Sequence, residues 1–203
     1  MWLNNVIYEN RVIENERLEL NDRGSLYFLG PNLTLRRCTL VLGVPAKRLH
    51  INQTRIIDCT IEVARILKNF RWDSVHLKGC QFKGRFAGND FGEWPSSPSQ
   101  GSIVGCDFTA ARLHQTRFLG CDADTLGFPR WPCFTLFDTA RRAAELAALS
   151  WPGKYGRIIA KGFAEDPPST VAVTYAAPEL AKFCGTTPEA ITALIEKLDG
   201  VFY

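Results

Sequence analysis

Apolar residues recur at one long interval through the first half of the chain. Three columns, one of them made of cysteines, repeat after 21, 21 and then 26 residues, and a fourth repeats every 21 residues. The columns are Cys38, Cys59, Cys80 and Cys106; Leu35, Ile56, Leu77 and Ile103; Leu40, Ile61, Phe82 and Phe108; and Phe28, Leu49, Phe70 and Phe91. A free cysteine behaves as a small buried hydrophobe, so all four columns suit a core. A shared period of this length predicts stacked coils of a solenoid.

A finer period of five residues divides each coil. Within residues 106–125 each group of five opens with a small residue, continues with a polar one and usually has a large apolar one third. In a strand the first and third residues point to one side and the second points to the other. The pattern therefore predicts short strands on about four faces. The interval of 21 residues is one longer than four fives, which predicts a bulge or a longer corner in each early coil.

This pattern resembles that of the pentapeptide-repeat family, in which a small residue (Ala, Cys, Ser or Thr) precedes a polar residue and then Leu or Phe. The resemblance is clearest over residues 106–125, holds less regularly over 33–92 and is degenerate before residue 33. It implies a short right-handed β-helix, either strictly four-sided or less regular. We expect about five coils within residues 1–137, the first starting near residues 12–20. The alternative is a β-sandwich with coincidental spacing, which four columns in one phase disfavour.

Two segments depart from the repeat. Residues 92–101 contain the extra five residues and are rich in Pro, Ser and Gly, which predicts one protruding loop. Residues 138–203 predict a helix-rich cap or docking module. There we expect Asp138 to cap a helix over 139–149, a strand over 171–175, and helices over 178–184 and from Thr187 to before Gly200. The last two resemble a helix-turn-helix, but the second helix is too acidic for DNA, which favours a structural or docking role.

Composition and charge narrow the function classes. The chain has 24 basic and 21 acidic residues, a net charge of +3, so we expect neither a polyacidic DNA mimic nor a nucleic-acid coat. The odd number of cysteines, seven, without a Cys-x-x-Cys pair argues against disulfides and zinc knuckles. Neither a membrane-length apolar stretch nor a signal-peptide pattern is present. We therefore expect a cytoplasmic protein without membrane contact.

Catalytic residues do not form a recognisable set. The histidines, His50, His76 and His114, fall in different columns, so we expect them on the surface rather than around a metal. Cys133 has no histidine near it in sequence, which favours a buried thiol over a nucleophile. Asp107 and Asp122 are 15 residues apart and are expected on different faces, so a paired-carboxylate site is not indicated. We expect no enzyme activity, no cofactor and no metal.

Binding is the remaining function class. The family resemblance implies, among small proteins of this type, immunity proteins that neutralise a toxin made by the same cell. We expect a protein partner, such as a toxin domain, and place its contact surface at Glu93, Trp94, Asp107 and Asp122, since aromatic and charged side chains anchor interfaces. The resemblance also implies topoisomerase-protecting DNA mimics, but residues 1–137 carry 17 basic and 13 acidic residues. A β-helix enzyme is a third alternative, and self-association is left open.

Overall fold

Consecutive coils of the chain stack through parallel strands. The computed structural model describes residues 4–95 and 101–203, and its first part is a parallel β-solenoid of about four turns. Its strands are β1 (Asn4–Tyr8), β2 (Arg11–Glu14), β3 (Arg17–Leu20), β4 (Ser25–Leu29), β5 (Leu33–Arg36), β6 (Thr39–Leu42), β7 (Leu49–Ile51), β8 (Thr54–Ile57), β9 (Thr60–Val63), β10 (Leu67–Lys68), β11 (Val75–Lys78), β12 (Gln81–Ala87), β13 (Asp90–Gly92), β14 (Ser102–Val104), β15 (Ala111–His114) and β16 (Thr116–Leu119). Short 3-10 turns lie at Ala46–Arg48 and Ala123–Thr125.

The strands form successive sides of the solenoid. The first side contains β1, β4 and β7 and, in later coils, β13 and β16. The second side is a stack of five strands, β2, β5, β8, β11 and β14, so about four full turns separate the first coil from the fifth. The third side contains β3, β6, β9 and the start of β12, and the fourth contains β10, the end of β12 and β15. In the first two coils, residues 21–24 and 43–48 occupy the place of this fourth side.

Three of the four predicted columns are confirmed. Leu35, Ile56, Leu77 and Ile103 are register partners on the second side, and all are buried. Leu40 pairs with Ile61, which pairs with Phe82. The ring of Phe82 stacks on that of Phe108 with 4.3 Å between centroids. The four column cysteines are buried, and the backbone N–H of Cys38 donates to Cys59 Sγ at 3.3 Å. Burial raises the pKa of Cys59 to about 12, so its thiol remains protonated.

The fourth predicted column is wrong at its start and at its end. At its end the bridge between Arg71 and Asp90 places Phe91 beside Trp72, on whose ring it stacks, rather than beside Phe70. At its start Tyr27, not Phe28, is the register partner of Leu49. Phe28 instead pairs with His50 and stacks on its ring outside the core, at a centroid distance of 4.7 Å. Because side chains alternate along a strand, a slip of one residue moves a side chain from the core to the surface.

The first coil also begins earlier than predicted. Strand β1 pairs with β4 from Asn4 onwards, ahead of the expected start at residues 12–20. Leu18 pairs with Leu40, an interval of 22 residues. This interval is one residue longer than that between Leu40 and Ile61, so a search at 20 or 21 residues misses the third side of the first coil.

A left-handed residue recurs at one corner of successive coils, while the bulge or longer corner predicted for each early coil stays a prediction. Between the second and third sides the chain turns at Asn15, Arg37, Asp58, Gly79 and Gly105, all with φ between 50° and 63°. This left-handed conformation is open to glycine and tolerated by Asn and Asp. A side chain at Gly79 would also collide with the Asp58 carboxylate below it. Each of these coils therefore turns at this corner through one residue in the left-handed conformation.

The C-terminal part extends the solenoid's sheet and adds helices. Its elements are β17 (Cys133–Phe137), α1 (Ala143–Ala148), α2 (Gly156–Glu165), β18 (Thr170–Ala176), α3 (Ala177–Cys184), α4 (Pro188–Ile195) and β19 (Val201–Phe202). Strand β18 lies antiparallel between β16 and β17, so one sheet runs in the order β13-β16-β18-β17-β19. Within residues 4–95 and 101–203, no helix is both long and apolar enough to cross a membrane.

The predicted cap elements are largely present. The strand over 171–175 is confirmed within β18, and α3 ends at Gly185 in the left-handed conformation with φ 70°. Thr187 caps α4 by accepting from the backbone N–H of Ala190, although α4 ends at Ile195, earlier than expected. The predicted cap at Asp138 is wrong. Asp138 has φ 54°, and the helix begins only at Ala143.

The C-terminal part has a hydrophobic core of its own. Phe134 and Leu136 of β17 pack there with residues of the helices, among them Phe163, Leu180 and Ile191. Ala172 of β18 belongs instead to the solenoid core. Strand β17 lies within residues 1–137, the predicted solenoid domain, but it pairs with β18 and β19 of the C-terminal part. The domain boundary at residue 137 stays a prediction.

An arginine joins the solenoid to the C-terminal part. Arg117 on β16 donates from Nε to Asp90 Oδ1 at 2.7 Å and from Nη1 to Asp166 Oδ1 at 2.9 Å. Asp90 lies on β13, and Asp166 directly follows α2. Their side chains are only 8% and 12% exposed. Burial raises the pKa of Asp166, and the positive charge of Arg117 opposes that shift. The guanidinium therefore compensates two buried carboxylates.

We expect Arg117→Ala to lower the free energy of unfolding by about 3 kcal/mol, because it leaves Asp166 without its cation and Asp90 with only the longer contact to Arg71, at 3.7 Å. Arg17 is the matched control: it also faces two carboxylates, those of Glu19 and Glu62, but on an exposed surface. Arg17→Ala should have a much smaller effect. Urea unfolding of the three proteins measures both effects, and equal losses would contradict this role of Arg117.

Candidate functional site: a basic strip on the fourth side

The predicted contact residue Trp94 packs against arginines of the first side. The guanidinium carbon of Arg71 lies 4.2 Å from the centre of its ring, and that of Arg117 lies 5.2 Å from it. Glu93 donates its backbone N–H to the carbonyl of Leu119, so the chain here continues the sheet. The predicted protruding loop includes residues 96–100, which lie outside the described residues. Trp94 thus contacts Arg117, one of the residues that join the two parts of the chain.

The two predicted aspartates bond to nearby backbone. Asp107 Oδ1 accepts from the N–H of Thr109 at 2.8 Å, and Asp122 Oδ1 accepts from the N–H of Asp124 at 3.1 Å. Asp107 is half-buried and Asp122 is exposed. The contact surface at Glu93, Trp94, Asp107 and Asp122 stays a prediction.

A different charged surface stands out on the fourth side. Basic residues occupy this side in each of the first four coils, and we call them the basic strip. Its members are Arg23, Lys47, Arg48, Arg65, Lys68 and Arg85. One groove on this side is lined by Arg23, Lys47, Arg48 and Arg65. A second, neighbouring groove is lined by Lys47 and Lys68. The Nε of Arg85 donates to the carbonyl of Arg65 at 3.2 Å.

Stacking of the coils places these cations close together. Adjacent parallel strands lie about 4.8 Å apart, so the strip extends about 14 Å along the solenoid axis from the first coil to the fourth. Arg112 continues the strip in the fifth coil as the register partner of Arg85, and its guanidinium bonds Glu179 of α3 at 2.7 Å. The strip therefore ends where the C-terminal part neutralises it.

The charge of the basic strip depends on which carboxylates lie beside it. Over the described residues, none of the six forms an ion pair with a carboxylate. Asp22 is the neighbouring acid, and it accepts from the Ser25 hydroxyl at 2.6 Å and the Gly24 N–H at 2.9 Å. Those bonds, with a contribution from Arg48, lower the pKa of Asp22. The strip is thus a surface of like charge that an external anion would stabilise.

The first groove of the strip has an apolar floor. It is a cleft of about 400 Å³, bordered by the four cations named above. Between them lie Leu42, Val44, Pro45 and Ile66. Leu42 and Val44 are nearly buried, and Ile66 is half-buried. The surface therefore combines positive charge with an apolar floor.

The sequence prediction missed this strip because its members are irregularly spaced. Arg23 and Lys47 are 24 residues apart, whereas Arg48 and Arg65, like Lys68 and Arg85, are 17 apart. The intervals differ because the fourth side is a loop in early coils and a strand in later ones. The sequence does contain one signal for the strip. In each of these coils, the segment that connects the third side to the next first side contains a Lys or Arg.

A second cleft, of about 290 Å³, lies at the junction with the C-terminal part. Asp90, Arg117, Asp166 and Tyr175 line it, together with Asn69, Gln115 and three other residues. Burial raises the pKa of Tyr175. Since both carboxylates bond Arg117, the cleft's charged groups serve to connect the two parts. Among the described residues, His, Cys, Asp and Glu side chains form no cluster able to hold a metal ion.

The predicted surface position is confirmed for two histidines and wrong for the third. His50 and His76 are exposed, but His114 is half-buried between β15 and the C-terminal part. Its Nδ1 accepts from the backbone N–H of Ala176 at 3.4 Å, because β18 covers it. Cys133 is buried, as expected, and burial raises the pKa of its thiol.

Comparison of this chain with protein-family models and with curated proteins finds no match. The candidate site therefore rests on the arrangement of its own residues.

We expect protonation of His114 to loosen the junction. Burial lowers the pKa of His114, and Nδ1 accepts a hydrogen bond only in the neutral ring. Because the pKa of His114 is lower in the folded protein than in the unfolded chain, neutral His114 contributes its full share of the folding stability above the unfolded-state pKa of about 6.5. That contribution is lost as the pH falls below this value. His114→Asn keeps an acceptor without a titrating ring.

Urea unfolding at pH 7.5 and 5.5 measures this effect. The wild-type protein should lose more stability between the two values than His114→Asn. His50→Asn, at an exposed histidine, is the control substitution and should retain the wild-type loss. Equal pH dependence of wild type and His114→Asn would contradict the assignment.

Proposed function

We propose that this chain is a non-catalytic binding protein that neutralises a toxin by holding an acidic surface of the toxin domain against the basic strip. The observation that carries the proposal is the row of six cations, stacked in four consecutive coils and without ion pairs among the described residues. Complementary charge on two surfaces speeds their encounter and selects the partner.

A solenoid suits this task because its strands hold outward side chains in fixed places. Lys68 and Arg85 lie on strands, and the other four residues lie in short turns between paired strands, so little ordering of the backbone is needed on binding. The apolar floor beneath the cations offers the kind of centre that protein interfaces have, with charge at the rim. These two properties favour a protein partner.

The immunity role is proposed from the family resemblance. A parallel solenoid of about four turns is consistent with the β-helix of the pentapeptide-repeat proteins and so supports the resemblance. The topoisomerase-protecting members imply a surface that imitates the negative charge of DNA. The strip has the opposite charge, so we favour toxin neutralisation over DNA mimicry. The compartment proposed is the cytoplasm.

Charge reversal on the strip should remove partner binding. The tagged chain would be used to isolate, from cells that make it, a stoichiometric partner, which is then purified and titrated. Arg65→Glu/Lys68→Glu should weaken its binding about 100-fold, because like charges across an interface cost several kcal/mol. The matched control is Arg55→Glu/Lys78→Glu, which makes the same change in net charge at exposed positions of the second side.

A growth assay tests the toxin assignment. The partner expressed alone should arrest growth, and coexpression of the wild-type chain or of the second-side variant should restore it, whereas the strip variant should not. A third variant, Asp107→Lys/Asp122→Lys, tests the acidic surface expected from sequence. If that variant alone loses binding, or if the strip and second-side variants behave alike, the strip is not the contact surface.

A further inference from the structure

The groove of the basic strip has features that identify the chemistry of its occupant. Four cations border it, and its floor is aliphatic. A purely ionic ligand would satisfy the cations but leave the floor in contact with water. An apolar side chain alone would satisfy the floor but leave four like charges facing each other.

We infer that the groove binds an acidic peptide segment with one large apolar side chain, which enters between the cations and lies on the floor near Ile66. This inference rests on the proposed function and specifies the part of the partner that is recognised. Carboxylates on both sides of the apolar residue would then face Arg65 and Lys47. The volume of about 400 Å³ is at the lower end of the range for ligand clefts, which suits a single large side chain.

The floor also distinguishes this segment from a nucleic acid. Proteins that bind single strands stack the bases on aromatic side chains beside a basic groove. Here the groove is floored by Leu42, Val44 and Ile66 together with Pro45, and its described lining contains no aromatic ring. Aliphatic side chains bury an apolar side chain of a peptide without requiring a flat partner. The groove therefore favours a peptide over a nucleic-acid strand.

Peptide binding tests the inference without knowledge of the partner. The probe is the fluorescein-labelled peptide Glu-Asp-Glu-Phe-Asp-Glu-Asp, titrated with the full chain and followed by anisotropy. A second peptide replaces Phe with Ser and keeps every charge. The Phe peptide should bind at least about tenfold more tightly, because burial of one large apolar side chain has about that effect.

Two variants locate the binding site, and each has a matched control on the second side. Ile66→Ser removes the half-buried aliphatic side chain of the floor and should reduce the preference for Phe to less than about threefold. Ile57→Ser, at a half-buried position of the second side, should preserve that preference. Arg65→Glu should weaken both peptides about tenfold, and Arg55→Glu should weaken neither to that extent. Circular dichroism confirms that each variant is folded.

Several results would overturn the inference. It fails if wild type binds the two peptides equally, if Ile66→Ser and Ile57→Ser act alike, or if a labelled oligo(dT) of equal charge binds more tightly than the Phe peptide. Its failure is separable from that of the proposed function. A partner lost on Arg65→Glu/Lys68→Glu without any Phe preference would refute only the groove's specificity, whereas a partner that ignores the strip would refute both.

Discussion

The parallel stacking of one coil on the next is the constraint on which the rest of this molecule depends. Each coil can bury its apolar side chains only if it keeps its register with its neighbours, as Leu35, Ile56 and Leu77 do on the second side. That register also fixes the outward positions. Lysines and arginines that are far apart in sequence are brought to within about 4.8 Å per coil, whatever their mutual repulsion. The core therefore supplies the energy that holds like charges together, and the basic strip is its consequence.

Strand pairing also covers the last coil of the stack, but there the added strand runs antiparallel. Strand β18 adds to β16 in the antiparallel direction, so this edge of the sheet is paired rather than open to other chains. Arg117 and Arg112 of the last coils make ion pairs with Asp166 and Glu179 of the C-terminal part. Basic residues therefore have two roles in this chain. At the junction they are satisfied internally, and along the strip they remain available.

The sequence predicted the buried columns of the solenoid, but it did not predict the features whose positions depend on loops. The cysteine and leucine columns were predictable because inward positions tolerate few residue types. Phe28 was misplaced because Tyr27 and Leu29 beside it are also apolar, and alternation is then ambiguous. Strand β17 follows two prolines that indicate an end to the repeat, and α2 contains two glycines that weaken a helix prediction. Trp94 was identified, but its contact with Arg71, 23 residues away, is set by the stacking.

Hydrogen exchange of the chain with and without its saturating partner tests the central claim most directly. Amide protection reports which backbone segments the partner covers, without any substitution. The account predicts added protection in residues 43–48, 64–68 and 84–87, which carry most of the basic strip, and no change on the second side at β8 and β11. Protection confined to residues 92–95, 105–109 and 120–125, with none on the fourth side, would contradict it and would return the binding surface to Glu93, Asp107 and Asp122.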